Sequence, residues 1–394
     1  MILEIQEPAV EPNPLWIEVV TDTYVPDVNG VSFSLGRLCA GLRARGHRVE
    51  VIRSGRVSAA GETAVLSWPL PGYWEIKVGA PWPGELRRRW SKRRPDLVYV
   101  AIETPLGFSA ASAARRLGIP VVGGFHTNFS EYLENYGARW IGRQVWRYQK
   151  WFHERLHQTL VPSPDARDKL VAAGFKKVSV LGRGVDTALF SPARRCDIFR
   201  REFGVAVDVP LAVVVGRVSS EKNIGLAIRA FTRMRQSCPE MVCMVVGDGP
   251  ARAKLERDHP EVRFPGYLLG ERLATCYASA DIMLFPSETE TFGNVLVEGM
   301  ASGLAILCYD YAAAAWHGEH GENLLKVKRG DESAFLDSAD LLLDSSNRAR
   351  LGAAARKTSA QLGWDGVVAE LEKIFRSVIQ KKSNRFSCHI APLR

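Results

Sequence analysis

The sequence predicts an α/β protein made of two doubly wound parallel-sheet domains. Three observations carry that expectation. Short apolar strands alternate with helical stretches, the pattern restarts near residue 211, and 394 residues exceed one ordinary domain. Two domains of about 150–200 residues suit that length.

The elements follow in order. Residues 15–23 (LWIEVVTDT) form a short apolar run that passes into a loop. Val31, Leu35, Leu38 and Leu42 recur at helical spacing, and Gly46 ends that helix as a C-cap. Residues 48–53 (RVEVIR) alternate like a strand, and further strands fit 96–102, 119–123, 159–162 and 178–181. Such alternation places a parallel sheet between two layers of helices. In the second half, strands fit 211–215, 241–246, 281–285 and 304–308, and helices fit 221–236, 250–258, 270–279 and 293–301. The stretch 185–209 carries Pro192 and few periodic apolar residues, so the boundary falls there. The expected division is 1–190, 191–365, and a closing segment 366–394. That segment holds a helix from near Trp364 that crosses back to the first domain, then a frayed tail from Ser383.

Composition narrows the setting. The 46% hydrophobic content supports two buried cores, and neither a repeat nor a low-complexity tract interrupts them. The net charge of +9 favours acidic partners: phosphates, anionic lipid or nucleic acid. Arg87, Arg88, Arg89, Lys92, Arg93 and Arg94 concentrate part of it, as a solvated helix face or a membrane-surface patch. Seven scattered cysteines without a C-x-x-C pair read as reduced and cytosolic. The first fifteen residues have no apolar core of a signal peptide, and no apolar run reaches the roughly 18 residues of a membrane span. Without secretion, the sequon at Asn128-Phe129-Ser130 has no meaning.

Ligands of open α/β sheets bind in the loops at the carboxyl ends of the strands, where two facing halves would form a cleft. Four loops stand out. Residues 21–32 (TDTYVPDVNGVS) place Asn29-Gly30 before a helix, as an anion-accepting N-terminus or a mere turn. Gly216-Arg217-Val218-Ser219-Ser220-Glu221-Lys222-Asn223 sets two cations between a strand and a helix, which suits a diphosphate. Gly247-Asp248-Gly249-Pro250 is a close turn, either packing or ligand-facing. The loop that opens at Pro286-Ser287-Glu288-Thr289-Glu290 leads through Thr291, Phe292, Gly293 and Asn294 into a helix that carries Glu298. Carboxylates accept paired hydroxyls of a sugar or ribose, and helix N-termini receive phosphate.

The last loop resembles the E-x7-E motif of retaining family 4 glycosyltransferases, with Glu290 and Glu298 as its two acids. Gly216-Arg217 with Glu221-Lys222 is similar to the family's G-R-x-x-x-E-K segment, and Asn29-Gly30-Val31 to its first loop. The resemblance covers residues 15–380, with lipid-directed α-mannosyl, glucosyl and sulfoquinovosyl transferases nearest in kind. It implies a GT-B fold: an acceptor-side Rossmann-like domain, then a nucleotide-sugar-binding one. It also implies roles. Glu290 would bind donor hexose hydroxyls, Glu298 the ribose, and Arg217 and Lys222 the diphosphate. Gly30, Gly216, Gly249, Phe292, Gly293 and Asn294 would line the donor, and His126 would lie near the transferred sugar. Catalysis would fall to His126, Arg217, Lys222 and Glu290. The donor would be GDP-mannose or a UDP-hexose, the acceptor a lipid-linked or glycan hydroxyl. No Asp-x-Asp triplet occurs, so no metal cofactor is expected. One departure is local: Tyr309-Asp310-Tyr311-Ala312-Ala313-Ala314-Ala315-Trp316 stands where many relatives carry a glycine-rich turn.

Other functions fit parts of the sequence. A GT-B-like sugar-nucleotide epimerase or a non-catalytic binding protein shares the architecture, but the intact acid and cation set favours transfer. His153-Glu154-Arg155-Leu156-His157 spells H-E-x-x-H, which on a helix could hold zinc, yet no third ligand follows at a suitable spacing. His317 and His320 read as a solvated loop. The segment 139–153 interleaves Trp140, Trp146, Tyr148 and Trp151 with Arg139, Arg143, Arg147 and Lys150. That mix packs a helix with snorkelling cations or meets a membrane interface. Nucleic acid is not expected as a partner, because no accompanying motif supports it. The enzyme is expected in the cytoplasm, peripheral at the inner membrane face, with Arg87–Arg94 and Trp140–Trp151 as its contacts.

Overall fold

The structure is a computed structural model that describes residues 13–27, 29–55, 59–70, 73–126 and 139–387. The sequon at Asn128 lies outside them. The chain falls into two compact units: up to Phe125, Gln149–Thr159 and from Leu371 onward in one, His126–Tyr148 and Leu160–Glu370 in the other.

In chain order the first stretch holds β1 (Trp16–Thr21), α1 (Gly30–Ala44), β2 (Arg48–Ser54), β3 (Glu62–Val65), β4 (Ser67–Leu70) and β5 (Tyr73–Gly79). Then come α2 (Pro83–Lys92), β6 (Leu97–Val100), α3 (Pro105–Arg116), β7 (Val121–Gly124), α4 (Arg139–His153), β8 (Gln158–Val161), α5 (Pro164–Ala172) and β9 (Val178–Val180). A seven-stranded sheet has the order β3-β2-β1-β6-β7-β8-β9, and β4 and β5 pair apart from it as an antiparallel hairpin. Every residue of β6 and β7 is buried, which is why these strands read as unbroken apolar runs. Asn29 caps α1 by accepting the Ser32 N–H at 2.9 Å. Asp22, just past β1, accepts from Ser54 Oγ at 2.7 Å, from Gly79 N–H at 2.5 Å and from the Thr104 hydroxyl. That carboxylate ties the first loop to the ends of β2, β5 and α3.

The rest of the chain holds α6 (Asp197–Glu202), β10 (Leu211–Val215), α7 (Ile224–Ser237), β11 (Val242–Val246), α8 (Arg252–Asp258), β12 (Arg263–Gly266) and α9 (Gly270–Ser279). It continues with β13 (Ile282–Phe285), α10 (Asn294–Ala301), β14 (Ala305–Tyr309), α11 (Ala313–His317), β15 (Leu325–Val327), α12 (Glu332–Asp340), α13 (Ser345–Ser359) and α14 (Trp364–Ser387). The six-stranded sheet has the order β12-β11-β10-β13-β14-β15, all pairs parallel. Alternate residues of one strand enter opposite cores: Leu211, Val213 and Val215 join one apolar cluster, Ala212 and Val214 the other. This is the covered, doubly wound arrangement that the alternation predicts.

The last helix belongs mainly to the first unit, where Phe375 lies against Tyr99 at 5.8 Å between ring centroids. Glu372 accepts from Arg45 at 2.7 Å and from Arg376 at 2.8 Å. Burial opposes ionisation of Glu372, but the two guanidinium hydrogen bonds outweigh it and bring its carboxyl down to about 2.

Candidate active site

Parallel neighbours put their following loops at one end of a sheet. β10 and β13 are such neighbours, so the loops after them meet. The loop after β10 is Gly216-Arg217-Val218-Ser219, then a single 3-10 turn over Ser220–Lys222. Asn223 has φ +47°, which breaks that turn from α7. The helix therefore begins at Ile224 rather than at 221, and Lys222 stands in the connecting turn, free to reach sideways.

It reaches Glu290. Lys222 Nζ lies 2.5 Å from Glu290 Oε1, with further bonds to Ser287 Oγ at 3.4 Å and to the Thr289 carbonyl at 3.3 Å. Ser287 Oγ donates to the same carboxylate oxygen at 2.8 Å, and Tyr311 donates to the Ser287 carbonyl at 2.7 Å. The Glu288 N–H meets the Glu221 carbonyl at 2.9 Å. The two motifs are thus stitched together by side chain and backbone alike. Arg217, partly buried, lies between Gly216 and Val218 in the same loop.

Gly293 has φ +96° and directly precedes α10, so the turn needs a residue without Cβ strain. Glu298 is the fifth residue of that helix. Burial pushes its carboxyl up to about 7, and the Tyr277 hydroxyl, donating at 3.1 Å, only partly offsets this. Phe292 is buried among apolar side chains and offers no free ring face; its place in the core follows from its contact with Trp316 and His317. Gly249 and Gly247 have a steric reason to be glycine. A Cβ on Gly247 would stand 1.9 Å from the Gly216 carbonyl oxygen, and one on Gly249 would stand 2.4 Å from that of Val218. The loops after β10 and β11 interlock backbone to backbone. Gly30 is the first residue of α1 and Asn294 the first of α10.

His126 follows β7 and is 7% exposed. Arg183 Nη2 lies 2.6 Å from its Nδ1. A guanidinium only donates, so Nδ1 accepts and the proton sits on Nε2. Sequence reasoning missed Arg183, although a cation between two glycines after a strand (Gly182-Arg183-Gly184) was a usable signal. It also missed Ser287 and Tyr311, whose parts depend on loops that meet only in the fold.

Other sequence readings resolve here. H-E-x-x-H is not a helical face: α4 ends at His153, whose Nδ1 lies 3.1 Å from Thr159 Oγ1, while His157 Nδ1 accepts the Val121 N–H at 3.1 Å. Among the described residues no group of three metal-ligating side chains forms. His317 is not solvated; it is partly buried and stacked on Trp316. Ala312, in the segment that departs from the glycine-rich turn, has φ +53°, a backbone state that glycine adopts readily. Its N–H is held by Asp165 Oδ2 at 2.8 Å. Arg89 of the basic cluster points inward to Glu18 at 3.1 Å and Glu50 at 2.8 Å, whereas Arg87, Lys92 and Arg93 are exposed.

Comparison with known proteins gives the family and the fold. The profile of Glycosyltransferase Family 4 matches residues 28–189, and that of Glycosyl transferases group 1 matches 209–345. A GDP-mannose-dependent alpha-mannosyltransferase of Mycolicibacterium smegmatis is 32% identical over 384 residues, covering 94% of this chain and 99% of its own. An alpha-monoglucosyldiacylglycerol synthase of Acholeplasma laidlawii is 24% identical over 80% of this chain and 85% of its own. The solved structure of Anabaena HepE in complex with UDP-glucose has the same fold, with a TM-score of 0.73 and 18% identity over 92% of this chain and all of that one.

Proposed function

This chain belongs to glycosyltransferase family 4, and from that premise we propose which residues hold its donor and what receives the sugar. It is a retaining hexosyltransferase of GT-B fold that uses a nucleotide sugar. The donor is GDP-mannose or a UDP-hexose, and the acceptor is a lipid-linked or glycan hydroxyl. The GDP-mannose-dependent alpha-mannosyltransferase relative supports the donor, and the alpha-monoglucosyldiacylglycerol synthase relative supports a lipid acceptor.

One observation carries the site assignment: the Lys222–Glu290 pair at the meeting of the two motif loops. Without donor, each neutralises the other. With donor, Lys222 and Arg217 turn to the diphosphate, and Glu290 accepts from hexose hydroxyls. Glu298 accepts from the ribose, while Gly216, Gly293 and Asn294 line the diphosphate side. His126 presents Nε2–H toward the transferred sugar. The donor C1–O bond breaks towards an oxocarbenium-like state, and the departing phosphate takes the acceptor's proton on the same face. Fixed cations at the leaving group supply most of the rate in such a step, and no metal is invoked.

A thermal-shift panel of UDP-, GDP- and ADP-sugars tests donor binding, since a ligand of the native state raises the melting temperature. Glu290→Ala should abolish transfer and leave the unliganded melting temperature nearly unchanged. Retained transfer would remove Glu290 from the site. Epimerised free sugar nucleotide, with none transferred, would favour the epimerase instead.

A further inference from the structure

Trp316 is a large aromatic left 40% exposed beside the residues just described. It belongs to α11 and is held from several directions. His317 stacks on it, with centroids 4.6 Å apart and 19° between planes. Phe292, two residues past Glu290, meets it edge-on at 6.4 Å and 88°. Gly182 comes so near that a Cβ there would stand 3.1 Å from two indole carbons. The next residue is Arg183, which holds His126. Burial pushes the His317 imidazole down to about 4, so the ring stacked on the indole is neutral at physiological pH.

We propose that Trp316 binds the acceptor: its indole is a platform for a pyranose ring next to the hydroxyl that receives the hexose, so acceptors headed by a sugar are the preferred class. This rests on the transferase reading above. A pyranose has an apolar C–H face, and an indole offers a flat, electron-rich surface of matching size. An aromatic side chain fixed before binding loses little entropy when it stacks. Position puts the ring where acceptor and donor meet: Gly182 at its edge is followed by Arg183, which holds the His126 assigned to the transferred sugar, and Phe292, two residues past Glu290, packs against it. The donor hexose is already given the Glu290 carboxylate, so the exposed indole is assigned to the acceptor. The segment's departure from a glycine-rich turn gains a purpose here, because such a turn carries no ring.

The test uses the full chain and the sugar nucleotide selected by thermal shift. Wild type, Trp316→Phe and Trp316→Ala are compared on monoglucosyldiacylglycerol and on diacylglycerol. Trp316→Ala should raise KM for the sugar-headed lipid roughly five- to tenfold. It should leave kcat, donor Kd and the KM for diacylglycerol within about twofold. Trp316→Phe, which keeps a ring, should recover most of the loss and covers the case of an unstable alanine variant. Independently of turnover, methyl α-D-glucopyranoside added to the donor-analogue complex should quench emission in wild type and not in Trp316→Phe. Equal KM changes on both lipids, no KM change, a matching change in donor Kd, or equal quenching in both proteins would overturn the proposal. Failure of the transferase reading itself is separately visible: wild type would then bind no sugar nucleotide.

Discussion

Glu298 titrates near neutrality because α10 carries it into an apolar surrounding, while Glu290 one loop earlier is matched by a lysine. If Glu298 accepts ribose hydroxyls only when ionised, donor affinity should climb as pH rises through about 7. Between pH 6 and 8 the ionised fraction grows about tenfold, and donor Kd should fall by a similar factor. Titration calorimetry at several pH values measures this, and Glu298→Gln should flatten the profile. A wild-type profile without slope across that range would separate Glu298 from the ribose.

At the scale of elements, the join between α14 and the first unit is a small ionic cluster. Glu372 is 9% exposed and held by Arg45 and Arg376. Its carboxyl is depressed in the folded state, so its stabilisation is fully present above the ordinary value of 4.5 and is lost as pH falls toward about 2. Glu372→Ala should cost about 2 kcal/mol at pH 7, less than a fully buried pair would because Arg45 is half exposed. Urea melts should show that difference shrinking as pH approaches 3; a difference constant with pH would assign it to packing. The elements themselves differed in how readable they were. β10, β13 and β14 are buried on both faces, so their apolar runs announce them. β3, β12 and β15 are short strands at sheet edges, and the β4–β5 hairpin stands apart from the main sheets, where burial leaves a weaker pattern. Lys222 stood out in the sequence as a cation between a strand and a helix, but its bond to Glu290 required knowing that β10 and β13 are neighbours. Arg183 escaped because its partner His126 is 57 residues away in sequence.

For the molecule as a whole, net charge and surface aromatics bear on where it works. No described helix is long and apolar enough to cross a membrane. Trp140 is 74% exposed on α4, and Arg87, Lys92 and Arg93 are exposed on and just after α2. We propose peripheral binding to an anionic membrane surface, each cation near the surface adding about 1 kcal/mol. Flotation should recover the protein with anionic vesicles at low salt and lose it as salt shortens the screening length. Equal flotation with neutral vesicles, or none with anionic ones, would count against that. The interlocked glycines after β10 and β11 have a practical consequence for redesign. Gly216 and Gly247, and Val218 and Gly249, leave no room for a side chain between them, so a mutational library at positions 247 and 249 should return glycine alone. Glu288, Thr289 and Thr291, beside Glu290, have side chains that are not fully buried and leave room for substitution. Those three codons, rather than the glycine turns, are where this scaffold is open to selection.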